Sequence, residues 1–121
     1  MKYIVTTVLL LLSVSLFSQE NSKANFDKRE VYIEMRDGTK LFTAIYTPKD
    51  ISKDNKYPIL MERTCYSIAP YGEEKFQKHL GPNDFLQKDK YIFVYQDVRG
   101  RYMSEGVFTN MTPQVAHKTK K

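Results

Sequence analysis

The sequence predicts an α/β fold: an antiparallel hairpin followed by a strand–helix–strand unit. Three observations predict it. Residues 31–36 alternate apolar and polar side chains and run directly into Asp37-Gly38; period-two alternation marks a half-buried strand, and Asp-Gly marks a tight hairpin turn. Residues 91–95 (YIFVY) form an unbroken apolar run rich in β-branched and aromatic side chains, the pattern of a strand covered on both faces in a parallel sheet. Between hairpin and run lies a further apolar segment and a stretch with helical spacing, which together give a right-handed crossover between parallel strands.

In chain order, residues 1–18 read as a secretory signal peptide, with Lys2 as the positive end, an apolar core from Ile4 to Phe17 and the small Ser18 before the cut. The apolar run is too short to span a bilayer comfortably, so no stable membrane anchor is expected after cleavage. Residues 19–28 are a polar leader. In the hairpin, Val31, Ile33 and Met35 share a face with Leu41, Thr43 and Ile45, and Pro48 stops the second strand. Residues 49–56 are charged and form a surface loop. A third strand covers 57–61, with Pro58 tolerated at its start. Residues 73–80 offer two helical turns with Phe76 and Leu80 on one face, broken by Gly81-Pro82. Asn83 caps a second short helix through Lys88, with Phe85 and Leu86 packing inward. Beyond the last strand, QDVRGR (96–101) replaces apolar side chains with charge and glycine. Ligands of open α/β sheets bind beyond the carboxyl ends of the strands, so this loop is either a strand cap held by an Asp/Arg pair or the floor of a site. Residues 29–112 belong to one domain at most, and 113–121 are a disordered basic tail.

Composition excludes several function classes. Of the net charge of +5, four lysines (Lys2, Lys118, Lys120, Lys121) lie in the signal and the tail; no basic stripe with interleaved aromatics remains for nucleic acid. Cys65 is the single cysteine, so no internal disulfide forms, and it reads as a small packed thiol. No ligand spacing suggests a metal, and no glycine-rich turn suggests a nucleotide or other cofactor. Ser22, Ser52, Ser67 and Ser104 all lie outside any G-x-S-x-G elbow, and His79 and His117 have no evident partner. The chain therefore carries no nucleophile.

Three segments, MRDGTKLFTAIYTPKD (35–50), YPILMERTCYSIAPYG (57–72) and YIFVYQDVRGRYMSEG (91–106), resemble the N-terminal part of the X-Pro dipeptidyl-peptidase-like serine hydrolases, the group containing cocaine esterase and the α-amino acid ester hydrolases. The most specific element is Q-D-x-R-G-x-x-x-S-E-G, and the resemblance fades after about Thr112. It implies an α/β-hydrolase fold of which these are the first four strands, and a serine hydrolase acting on ester, amide or peptide substrates without a cofactor. It also implies that Tyr66, in the loop after the third strand, donates its hydroxyl to the oxyanion; Cys65 stands where the family more often has proline. Asp97, Arg99, Ser104 and Glu105 match positions that shape the loop beneath the pocket and are given structural roles. The triad of that family, in the order Ser, Asp, His, falls after the fourth strand. The expectation is thus a truncated N-terminal segment of an exported enzyme, periplasmic or extracellular and inactive alone. The alternative is a non-catalytic exported β-rich binding module.

Overall fold

The computed structural model describes residues 20–110; the expected signal peptide (1–18) and basic tail (113–121) lie outside them. The elements are α1 (Glu20–Asn25), β1 (Phe26–Glu34), β2 (Lys40–Pro48), β3 (Ile59–Thr64), α2 (Asp84–Lys88) and β4 (Ile92–Asp97). The four strands form one sheet in the order β1-β2-β4-β3. β1 and β2 pair antiparallel, as do β2 and β4, whereas β3 and β4 are parallel. The hairpin followed by a parallel unit is thus the observed architecture.

The hairpin closes differently from a two-residue turn. Gly38 N donates to Met35 O (2.9 Å), Met35 N donates to Thr39 O (2.8 Å), and Gly38 holds φ +81°. This is a three-residue connection whose last position needs the left-handed backbone that glycine adopts freely.

The core lies on one face of the sheet. Phe26, Phe42, Ala44, Tyr46, Phe93 and Tyr95 are buried there against Ile68 and Leu80 of the crossover. Tyr46 meets Phe76 and Tyr95 edge-on at 5.5 and 5.8 Å, and Phe42 meets Tyr71 at 5.5 Å, separations at which aromatic pairs gain beyond area burial alone. The alternation in 31–35 and 41–45 points to the opposite face. There Leu41 and Thr43 are buried, but Ile33, Ile59 and Met61 are exposed. The aromatic and leucine side chains of the crossover decide which face is packed, and they choose the Phe42–Tyr46 side.

Three local expectations also change. The polar leader contains a short helix and the start of β1, because Phe26 reaches the core and stacks 5.9 Å from Phe93. Residues 73–80 are irregular rather than helical; the Lys75 carbonyl, which a helix there would direct along its axis, instead joins those of Pro70 and Gly72 on Lys28 Nζ at 2.7–2.9 Å. Phe76 and Leu80 still pack inward. Asn83 does cap α2, its Oδ1 accepting from Leu86 N at 3.1 Å, but Phe85 points outward, 74 % exposed, and only Leu86 packs. No helix of the described residues is long and apolar enough to cross a membrane.

Candidate active site

The parallel pairing of β3 and β4 places their carboxyl ends side by side, Thr64 opposite Asp97, with Val98 N donating to Thr64 O at 3.1 Å. Two loops leave this edge together. The first carries Cys65, Tyr66 and Ser67; the second carries residues 98–106.

The second loop is tied to its surroundings at almost every polar group. The fully buried Asp97 carboxylate accepts from Ile68 N (3.1 Å), from the Tyr71 hydroxyl (2.9 Å) and, at longer range, from Met103 N (3.4 Å). Ser104 Oγ donates to Asp97 O (2.6 Å) and accepts from Phe42 N (2.8 Å). Glu105 exchanges two bonds with Lys40, its N donating to Lys40 O and its Oε2 accepting from Lys40 N, both at 2.9 Å. Arg99 does not pair with Asp97. It grips Asp37 at the hairpin tip (2.8 and 3.1 Å) and Thr39 Oγ1, and this guanidinium lowers the Asp37 carboxyl to about 2. Asp97 thus holds neutral donors of the crossover, and the Asp/Arg pair that the motif suggests is between Arg99 and Asp37.

The first loop presents rather than grips. Tyr66 N donates to Thr64 Oγ1 (3.1 Å), Arg101 Nε donates to Cys65 O (3.2 Å), and Ser67 holds φ +84°. The Tyr66 side chain is 83 % exposed, and among the described residues nothing bonds its hydroxyl. It therefore stands at the carboxyl end of the parallel pair as a neutral donor tied to no other described residue. A nearby cleft of about 290 Å³ runs along β3, lined by Leu60, Met61, Pro82, Phe93 and Tyr95, and does not include Tyr66.

None of the described serines is hydrogen-bonded to a histidine; Ser22 Oγ accepts from Gln87 Nε2 at 3.1 Å in a cavity that His79 and Asp84 also line. Ser104 is buried between Asp97 and Phe42, and Ser67 Oγ is bonded to the Tyr71 hydroxyl at 3.0 Å. His79 lies exposed 3.5 Å from Asp84. Cys65 is a half-buried free thiol. Among the described residues no cluster of His, Cys, Asp or Glu could hold a metal.

Sequence reasoning passed over three residues that organise this edge. Tyr71 clamps Ser67 and Asp97, and burial raises its phenol above the ordinary value. Arg101 stacks on Tyr102 and Phe108 at 5.2 and 5.1 Å. Gln96 is buried on the face opposite the crossover, its Nε2 donating to Thr43 Oγ1 (2.8 Å) while its Oε1 has no partner among the described residues. The usable signal was the polarity of Gln96 inside a strand, since a buried amide needs partners for both ends.

A mixed sheet with an antiparallel hairpin, a parallel crossover unit and polar loops at its carboxyl edge is the N-terminal part of an α/β-hydrolase-like fold. More narrowly, the chain belongs to the X-Pro dipeptidyl-peptidase (S15) family, which it matches over residues 37–121. It is therefore a member of a hydrolase family. The match continues past Thr112, beyond the extent expected from the sequence. Among solved structures, an α-amino acid ester hydrolase labelled with selenomethionine is 39 % identical, with a TM-score of 0.58 over 70 % of this chain and 14 % of that one. An aminopeptidase from the marine sediment archaeon Thaumarchaeota archaeon is 36 % identical, with a TM-score of 0.60 over 71 % of this chain and 14 % of that one. The chain thus spans about 14 % of the length of either structure. No curated protein matches it.

Proposed function

We propose that this chain is the N-terminal segment of an exported serine hydrolase that cleaves ester or amide bonds, and that its direct contribution to the chemistry is the Tyr66 hydroxyl. The observation that carries this is the unengaged, exposed phenol at the carboxyl end of a parallel strand pair in a hydrolase-family sheet. When a serine attacks an acyl carbonyl, negative charge grows on the carbonyl oxygen. A phenol not tied to the rest of the chain donates to that oxygen without breaking an intramolecular bond, and one such donor is worth about 2.7–4 kcal/mol in the transition state, or roughly 10²–10³ in kcat. The attacking serine and its acid and base are contributed from outside residues 20–110. Export is supported by the signal-like pattern of residues 1–18. Asp97, Arg99, Ser104 and Glu105 act as scaffold.

The test is a segment exchange. Residues 20–110 replace the corresponding segment of the α-amino acid ester hydrolase, and turnover of a chromogenic amino ester is followed. The chimera is expected to turn over, whereas the isolated chain is inactive. A folded chimera without turnover, or robust turnover by the isolated chain, overturns the proposal.

A further inference from the structure

The Lys28 side chain is wholly buried, and its surroundings account for all of its bonding capacity. An ammonium has three N–H donors. Here they meet three backbone carbonyls, those of Pro70 (2.7 Å), Gly72 (2.9 Å) and Lys75 (2.9 Å). The Glu30 carboxylate stands 2.8 Å away and balances the charge, and the Tyr46 ring lies 5.6 Å from the nitrogen. Glu30 also accepts from Gly72 N at 2.7 Å. A cage of four oxygens and an aromatic face around one positive charge is the environment that a bound monovalent cation would require, supplied here with a cation tethered to β1. Such charge-assisted bonds are about twice as strong as neutral ones.

The carbonyls so held flank Tyr71, and the Tyr71 hydroxyl is the clamp on Ser67 Oγ (3.0 Å) and Asp97 Oδ2 (2.9 Å). Ser67, next to Tyr66, is held at φ +84°, and its Oγ also accepts from Ala69 N at 3.1 Å. The path from Lys28 through Pro70 and Gly72 to Tyr71, and from there to the residue beside Tyr66, is continuous. No other described side chain binds three carbonyls of residues 70–75.

We infer that Lys28 is a positioning residue, a built-in structural cation that holds residues 70–75 so that Tyr71 can fix the backbone carrying Tyr66. Its catalytic consequence rests on the proposed role of Tyr66; its structural part does not. A compact three-donor charge suits this cage, and the planar fork of arginine does not.

The wild-type chain gives the first test, which needs no variant: ¹⁵N NMR of the Lys28 ammonium. Slow proton exchange and hydrogen-bond couplings to the carbonyl carbons of Pro70, Gly72 and Lys75 are expected; a freely exchanging, solvent-like ammonium overturns the inference. In Lys28→Ala, amide exchange at Ile68 and Gly72 should accelerate about tenfold or more, the factor set by losing a hydrogen bond to a charged group. Methylammonium, small enough for the vacated cage, restores protection, whereas tetramethylammonium and the variant Lys28→Arg do not. Unchanged exchange at both amides overturns the inference. In the ester-hydrolase chimera, Lys28→Ala should lower kcat more than it raises KM, with recovery in methylammonium. If Tyr66→Phe lowers kcat there and Lys28→Ala does not, the positioning role fails while the oxyanion role stands. If neither lowers kcat, the role of Tyr66 fails.

Discussion

Two loops leave the same edge of the sheet and are built on opposite principles. The loop after β4 is bound through Asp97, Ser104, Glu105 and Arg99 to the crossover, to β2 and to the hairpin tip. The loop after β3 has a fixed backbone and a free side chain, Tyr66. A donor that must wait for charge to develop cannot already be engaged, and a donor that must not wander needs a rigid base. The difference teaches that the motif-rich loop supplies rigidity, and that the less conspicuous one leaves a side chain free for the contact proposed for Tyr66.

The contrast breaks first at Asp97. Asp97→Ala strands the buried Ile68 N–H and takes from the Tyr71 hydroxyl its carboxylate acceptor. Each buried donor left unpaired costs about 1–3 kcal/mol, so a loss of roughly 2–5 kcal/mol is expected in urea unfolding. Asp97→Asn, which keeps an acceptor, should recover part of it. A loss no larger than that of an exposed site would mean that the second loop is not the scaffold described.

Ser104→Ala comes next. Its hydroxyl serves Phe42 N and Asp97 O at once, and removing it should cost about 1–3 kcal/mol by the same measurement. The smallest effect lies at the exposed Arg99–Asp37 tie. The Asp37 pKa falls from 3.8 to about 2 in the folded chain. A folded value below the unfolded one means that the pair stabilises the fold above pH 3.8, and that this contribution fades as pH falls through about 2. Carboxyl ¹³C titration should return Asp37 toward 3.8 in Arg99→Met; a wild-type value already near 3.8 would remove the tie from the account.

Much of the fold was legible because it rests on local pattern. The hairpin announced itself through Asp37-Gly38, β4 through YIFVY, and α2 through Asn83. What escaped depends on contacts between distant residues. Nothing in a lysine near the start of a strand indicates that it will be buried under carbonyls from residues 70, 72 and 75. Likewise, the buried face of the hairpin followed the crossover's side chains rather than the hairpin's own alternation. The candidate site was legible only through resemblance. Tyr66 carries no local signal of the role proposed for it, and Asp97 beside Arg99 in sequence suggests a partner that the fold assigns to Asp37.

The most direct measurement pairs one residue from each loop in the segment-exchange chimera, following kcat and the unfolding midpoint for Tyr66→Phe and Ser104→Ala. Tyr66→Phe should lower kcat by roughly 10²–10³ and move stability by less than about 0.5 kcal/mol, as for an exposed side chain. Ser104→Ala should do the reverse, lowering the midpoint while the folded enzyme turns over normally. Full activity in Tyr66→Phe, or an activity loss that merely follows a fall in its midpoint, would contradict the division of labour between the two loops.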